Sequence, residues 1–173
     1  MMKRIFKGGF TLIEILVYIG VLGIVILTVL SFLIWATHSR TKAKVMRETL
    51  DNARRAMEIM TYEIREAKSI YIPTFTANQL SLETAHYLPE GETKTFIDFY
   101  LCDSRLCLKK ESQGPIALTS DNLEVSNLVF TQVITGTIPS IQINLKVNYK
   151  NPTNRPEYQS SVELISTASL RNY

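Results

Sequence analysis

The sequence predicts an α+β chain, a long N-terminal helix packed on an antiparallel β-sheet. Three observations predict it. An apolar run extends from Phe10 to Ala36 with Glu14 as its only formal charge. No glycine or proline stands between Ile24 and Ile72, and the later part of that stretch keeps a helical period. Beyond Pro73 the period of the apolar residues changes to two.

The first element starts from a short basic leader, Lys3, Arg4 and Lys7, that runs into Gly8-Gly9. At about 1.5 Å per residue the run that follows is long enough to cross a bilayer as a helix with some tilt. A secretory signal peptide would have an apolar core of about 7–15 residues and a small-x-small cleavage site. This run is longer, and Ala36-Thr37-His38 makes a poor site. Glu14 is the oddity, because a carboxylate inside an apolar span is costly unless something pairs with it. Nothing nearby in its own sequence does so, which makes a partner from outside the chain the default expectation. Basic residues flank the span on both sides, Lys3, Arg4 and Lys7 before it and Arg40, Lys42, Lys44 and Arg47 after it, so the positive-inside rule does not set its orientation.

The stretch Gly8-Gly9-Phe10-Thr11-Leu12-Ile13-Glu14 resembles the type IV prepilin signature of pilins and type II secretion pseudopilins. The resemblance implies a pilin-like fold and cleavage between Gly9 and Phe10 by a membrane-embedded prepilin peptidase, followed by N-methylation of Phe10. It also implies that the Glu14 carboxylate pairs with the N-terminal ammonium of a neighbouring subunit, and that the leader faces the cytoplasm. No proline interrupts the span, where many major pilins have one; Gly20 and Gly23 stand where an assembling helix could loosen, since glycine is the weakest helix former after proline. The chain then divides into leader 1–9, transmembrane or filament-core helix 10–36, amphipathic helix 37–69 and a β-rich extracytoplasmic domain 70–173.

From Thr37 to about Ser69 the helix turns amphipathic. Met46, Leu50, Ala53, Met57, Met60, Ile64 and Ala67 recur at alternating steps of four and three, on one stripe. Such a heptad stripe suits a coiled coil with sister subunits, or a helix laying its apolar face on its own sheet. The sheet that follows in sequence favours the second.

Strand candidates come next. Leu80-Ser81-Leu82-Glu83 is short. Thr95 to Leu101 sets Phe96 and Tyr100 around Asp98 on one face, with Ile97, Phe99 and Leu101 on the other. A turn near Asp103-Ser104-Arg105 leads into Leu106 to Lys109. Asn127 to Gln132 alternates, and Ile141 to Tyr149 alternates strictly, the pattern of a half-solvated antiparallel strand. Asn151 to Pro156 holds two prolines and reads as a loop, and Val162 to Leu170 reads as the last strand. Asn127 to Gln132, the Ile141 to Tyr149 strand, Asn151-Pro152-Thr153-Asn154-Arg155-Pro156-Glu157-Tyr158 and the ending Thr167 to Asn172 resemble the J-type minor pseudopilins and related minor pilins of type IV and competence pili.

Composition bounds the rest. The chain of 173 residues is 46% hydrophobic and 20% charged with net charge +3, and the part beyond Ala36 is long enough for one domain with its own core. Much of the basic excess sits in the leader and just past the apolar run, and no nucleic-acid-binding motif accompanies it, so no nucleic-acid partner is expected. Cys102 and Cys107 flank the turn. With Ser104-Arg105 central, Cys102 would face Cys107 directly, and a bridge suits an exported domain; the alternative is two buried thiols. Two cysteines alone lack the ligands zinc needs. His38 and His86 have no catalytic set beside them in sequence, and no nucleophile elbow, carboxylate pair or phosphate-cradling loop stands out. Asp121 and Glu124 lack the ligand string of a calcium loop.

The sequence therefore leads to an expectation of assembly rather than catalysis, with no cofactor and no metal. The resemblance implies a single-pass subunit of the cytoplasmic (inner) membrane with its domain outside, taking part in assembly or priming of a type II secretion pseudopilus or type IV pilus. The partners it implies are the prepilin peptidase, other minor and major pilins or pseudopilins, and an assembly platform with its motor ATPase. The competing reading is an anchored binding module, such as a tip adhesin or DNA-uptake receptor.

Overall fold

A computed structural model describes residues 9–72, 74–86, 88, 90–135 and 138–171, with the side chains of 134, 135 and 138 left out. The basic leader, Gly8, Pro73 and Asn172 lie outside the described residues. One helix, α1 (Leu12–Glu66), is followed by eight strands: β1 (Ser69–Ile70), β2 (Leu80–Thr84), β3 (Thr95–Cys102), β4 (Arg105–Lys110), β5 (Ile116–Ala117), β6 (Leu123–Thr135), β7 (Ile138–Tyr149) and β8 (Ser161–Ser169). A 3-10 turn, Pro156–Tyr158, precedes β8. The chain forms two compact units that divide between Arg40 and Thr41.

The second unit is a helix packed on antiparallel sheets. Strands β1 to β5 form a meander in chain order, and β6, β7 and β8 form a second three-stranded sheet. Two backbone bonds tie the sheets together: the Val125 N–H donates to the Ser104 carbonyl at 2.7 Å, and the Phe130 N–H to the Ala77 carbonyl at 2.8 Å. The inward residues of both sheets, among them Leu82, Phe99, Ile143 and Leu145, meet Met60 and Ile64 of α1 in one core. Each such side chain contributes about 1.5–3 kcal/mol by leaving water.

The helix end and its buried stripe differ from the sequence expectation. The helix stops at Glu66, and Ser69 already belongs to β1, because the Lys68 N–H donates to the Glu83 carbonyl at 2.8 Å and the next residues join the sheet ladder. Ala53, Met57, Met60, Ile64 and Ala67 are buried as the heptad predicts, and Leu50 is half-buried. Met46 is instead 47% exposed, and Val45, Thr49, Ala56 and Glu63 are buried. A straight α-helix drifts by about 20° per heptad from a 3.5-residue repeat, so a stripe that fits near Met60 has rotated off by Met46.

The β3–β4 hairpin also corrects the predicted register. Cys102 pairs with Arg105 and Tyr100 with Cys107. Asp103 and Ser104 are the two turn residues, with φ of 49° and 61°. Positive φ at both central residues matches the right-handed twist of the flanking strands, and it places the turn one residue earlier than expected. Leu101, on the same face as Ile97 and Phe99, is 37% exposed at the hairpin tip.

Strand β6 begins four residues before the predicted strand. The register shifts between Val125 and Asn127, leaving Ser126 as the extra residue of a bulge. The bulge is what lets Leu123 and Val125 face the core together with Leu128 and Phe130, although the two pairs are out of phase for a regular strand.

Candidate assembly and processing site

In the first unit every residue from Gly9 to Trp35 is exposed except Glu14, which is half-buried. Phe10 is 70% exposed and Leu12 83%. By length and composition the helix could span a membrane, with a mean hydropathy of 2.7 over its most apolar window. Its hydroxyls are satisfied within the helix, as a span in lipid requires: Thr28 donates to the Val25 carbonyl at 2.8 Å, Ser31 to Leu27 at 2.9 Å and Thr37 to Ile34 at 2.7 Å. Phe32 and Trp35 stand together with ring centroids 6.0 Å apart, near the end of the apolar run. Gly20 and Gly23 lie within unbroken helix.

The start of the helix is built by Thr11. Its side-chain oxygen accepts the Glu14 backbone N–H at 3.4 Å, and its carbonyl accepts the Glu14 and Ile15 N–H groups at 3.1 and 3.3 Å. Thr11 is thus the N-cap and Glu14 the third helical residue, the spacing of a capping box. The signal is legible in the sequence as Thr-x-x-Glu before an apolar run. The Glu14 carboxylate turns along the helix instead of back to the cap: the Tyr18 hydroxyl donates to Oε1 at 3.5 Å, and the Phe10 and Tyr18 rings meet edge to face at 6.4 Å. Gly9 is exposed and lies outside the helix, so the Gly9–Phe10 bond is in irregular chain just before the cap.

The remaining candidates are in the second unit. Cys102 and Cys107 are joined by a disulfide, their Cα atoms 5.9 Å apart. Because Cys107 lies opposite Tyr100, the bond crosses the hairpin diagonally, on the face turned away from the core. His86 lies 3.4 Å from a Glu66 carboxylate oxygen, whose other oxygen meets Arg171 at 3.5 Å. Asp121 pairs with Arg105, away from Glu124. Among the described residues no group of three His, Cys, Asp or Glu side chains is placed to hold a metal ion.

Sequence reading missed Glu63, which is buried beside this helix end. Burial pushes its carboxyl pKa up; Lys110 and His86 oppose the rise and Glu66 adds to it. The signal was its position three residues after Met60 and seven after Ala56, on the buried stripe. The chain matches none of the family models, curated proteins or solved structures with which it was compared.

Proposed function

We propose that the chain is a minor pilin or pseudopilin subunit that takes part in assembly or priming of a type II secretion pseudopilus or type IV pilus. One observation carries the reading: a helix segment with all its apolar side chains exposed and a single half-covered carboxylate near its start. Such a surface needs lipid before assembly and neighbouring helices after it. The Gly9–Phe10 junction, in irregular chain beside the N-cap, suits cleavage by a prepilin peptidase and N-methylation of Phe10. The new ammonium would then lie one turn from Glu14 of its own chain and be free to pair with Glu14 of a neighbour. Burying both charges together in a filament core removes the cost each would carry alone. The domain sits outside the cytoplasmic membrane, and its partners are other pilin-like subunits and an assembly platform driven by a motor ATPase.

The test is intact-mass and N-terminal peptide mass spectrometry of protein recovered with and without a prepilin peptidase. Loss of residues 1–9 with one methyl group on Phe10 is the expected result. An intact leader, or a cut beyond Ala36, would overturn the proposal.

A further inference from the structure

Two adjoining depressions in the second unit share Tyr149. The first has a volume of about 490 Å3, and its walls include Tyr149, Tyr158, Lys150, Arg155, Asn122 and the acidic Asp121. The Tyr149 and Tyr158 rings are near parallel, 16° apart with centroids at 6.1 Å. That spacing is too small to admit a third ring between them, so they form one aromatic shelf. The second depression is rich in amides and hydroxyls, with Asn148, Asn154, Gln159, Ser160 and Ser161 around the same tyrosine. Asn148 Oδ1 is buried there without a hydrogen-bond partner among the described residues.

The wall carrying Arg155 is held in place. The Asn151 side chain both donates to the Arg155 carbonyl at 2.9 Å and accepts the Arg155 N–H at 3.0 Å. Asn154 takes a positive φ of 51° to make the turn. Among the described residues the exposed Arg155 guanidinium makes no ion pair, and Lys150 Nζ donates only to the Asp121 carbonyl, at 2.7 Å. Of the carboxylates, Asp121 lines the first depression and is paired with Arg105, Glu48 accepts from Asn122 at 3.0 Å, and Glu124 rims the amide-rich side.

The geometry points to a binding site for a carboxylate-bearing saccharide. An aromatic shelf takes the apolar face of a sugar ring, side-chain amides and hydroxyls match its vicinal hydroxyls, and the exposed guanidinium, on a backbone held by Asn151, matches a carboxylate through two parallel hydrogen bonds. A nucleic-acid strand fits less well, because two cations offer little to a run of phosphates. None of its residues lies in the first unit, so its test does not depend on the proposed filament role.

Saturation-transfer difference NMR with the full chain in detergent micelles tests it. The probes are trigalacturonate, the neutral trisaccharide maltotriose and a ten-nucleotide thymidine strand, at low and at physiological salt. Saturation transfer to ring protons of trigalacturonate is expected, with affinity at least tenfold above maltotriose. Arg155→Gln should lower trigalacturonate affinity about tenfold and leave maltotriose unaffected. The wall is fixed through the backbone of residue 155, so this variant keeps the fold. Tyr158→Leu should weaken both sugars. Equal binding of acidic and neutral sugars, an unchanged affinity in Arg155→Gln, binding of the oligonucleotide alone, or no transfer to any probe would each overturn the assignment.

Discussion

Asn52 Oδ1 accepts the backbone N–H of Ser120 at 3.2 Å, a bond that spans 68 residues. One turn earlier on the same helix, Glu48 accepts the Asn122 side-chain amide at 3.0 Å. Two helix side chains therefore grip the turn that leads into β6. Asn52 is half-buried, and replacing it with Ala leaves the Ser120 N–H without its acceptor in a turn where the Ser120 hydroxyl already has no partner among the described residues. Asn52→Ala should cost about 1–3 kcal/mol of stability. Asn122→Ala, at an exposed position, should change it by about 0.5 kcal/mol or less. Urea denaturation of the full chain in detergent micelles, followed by circular dichroism, measures both. Equal effects would mean that the Asn52 contact does not hold the turn.

Glu63 gives the fold a pH dependence of defined sign. Its carboxyl is raised by burial above the ordinary value of 4.5, so the folded state binds its proton more tightly than the unfolded chain does. Its contribution is fully present below the unfolded pKa and is lost as pH rises through the folded one. His86, Lys110 and Glu66 share the surroundings, so the Glu63 part is read by difference. Between pH 4 and 8 the wild type should lose more stability than Glu63→Gln, which should equal or exceed it at neutral pH. Parallel denaturation curves for the two proteins across that range would sink this assignment.

The disulfide closes a short loop, with a sequence separation of 5. Constraining so few residues in the unfolded chain is worth on the order of 2 kcal/mol. Reduction should therefore lower the urea midpoint without unfolding the hairpin, whose turn and ladder pairs do not depend on it. Cys102→Ser with Cys107→Ser should melt at the reduced midpoint whether or not reductant is present. A double variant as stable as the oxidised wild type would show that the bond adds nothing.

Thr11 caps the helix beside the proposed cleavage site. Thr11→Ala should cost about 1 kcal/mol locally, seen as faster amide hydrogen exchange at Glu14 and Ile15 in bicelles, while Thr11→Ser should restore protection. Unchanged exchange at Glu14 in Thr11→Ala would show that the side-chain cap carries no weight.

Glu14→Ala separates assembly from anchoring. On the filament reading, incorporation into shed or purified filaments should fall at least tenfold, with membrane insertion unchanged because the span becomes more apolar. Wild-type incorporation of Glu14→Ala would remove the intersubunit pairing from the mechanism.

The elements were legible because their signals are local. A glycine- and proline-free stretch with a helical period becomes one helix, and strict alternation such as Ile141 to Tyr149 becomes a strand with Ile141, Ile143, Leu145 and Val147 inward. The register was harder. Cys102 and Cys107 fit a turn centred on Ser104-Arg105 or on Asp103-Ser104, and only the backbone of the folded hairpin selects the second. Ser126 carries no mark of a bulge in its own residue type; it is needed because two out-of-phase apolar pairs must reach the same core.

By itself the sequence determined the apolar helix with its lone glutamate, the amphipathic continuation and the antiparallel strands, since period and chain breakers act over a few residues. Tertiary structure alone decided that Glu63 would be buried and Met46 exposed, because helix drift and sheet position set which side of the stripe meets the core. It also decided that Tyr149, Tyr158 and Arg155 would share one pocket wall. That juxtaposition depends on where the end of β7, the loop after it and the turn before β6 come together, and such a meeting has no period to be read along the chain.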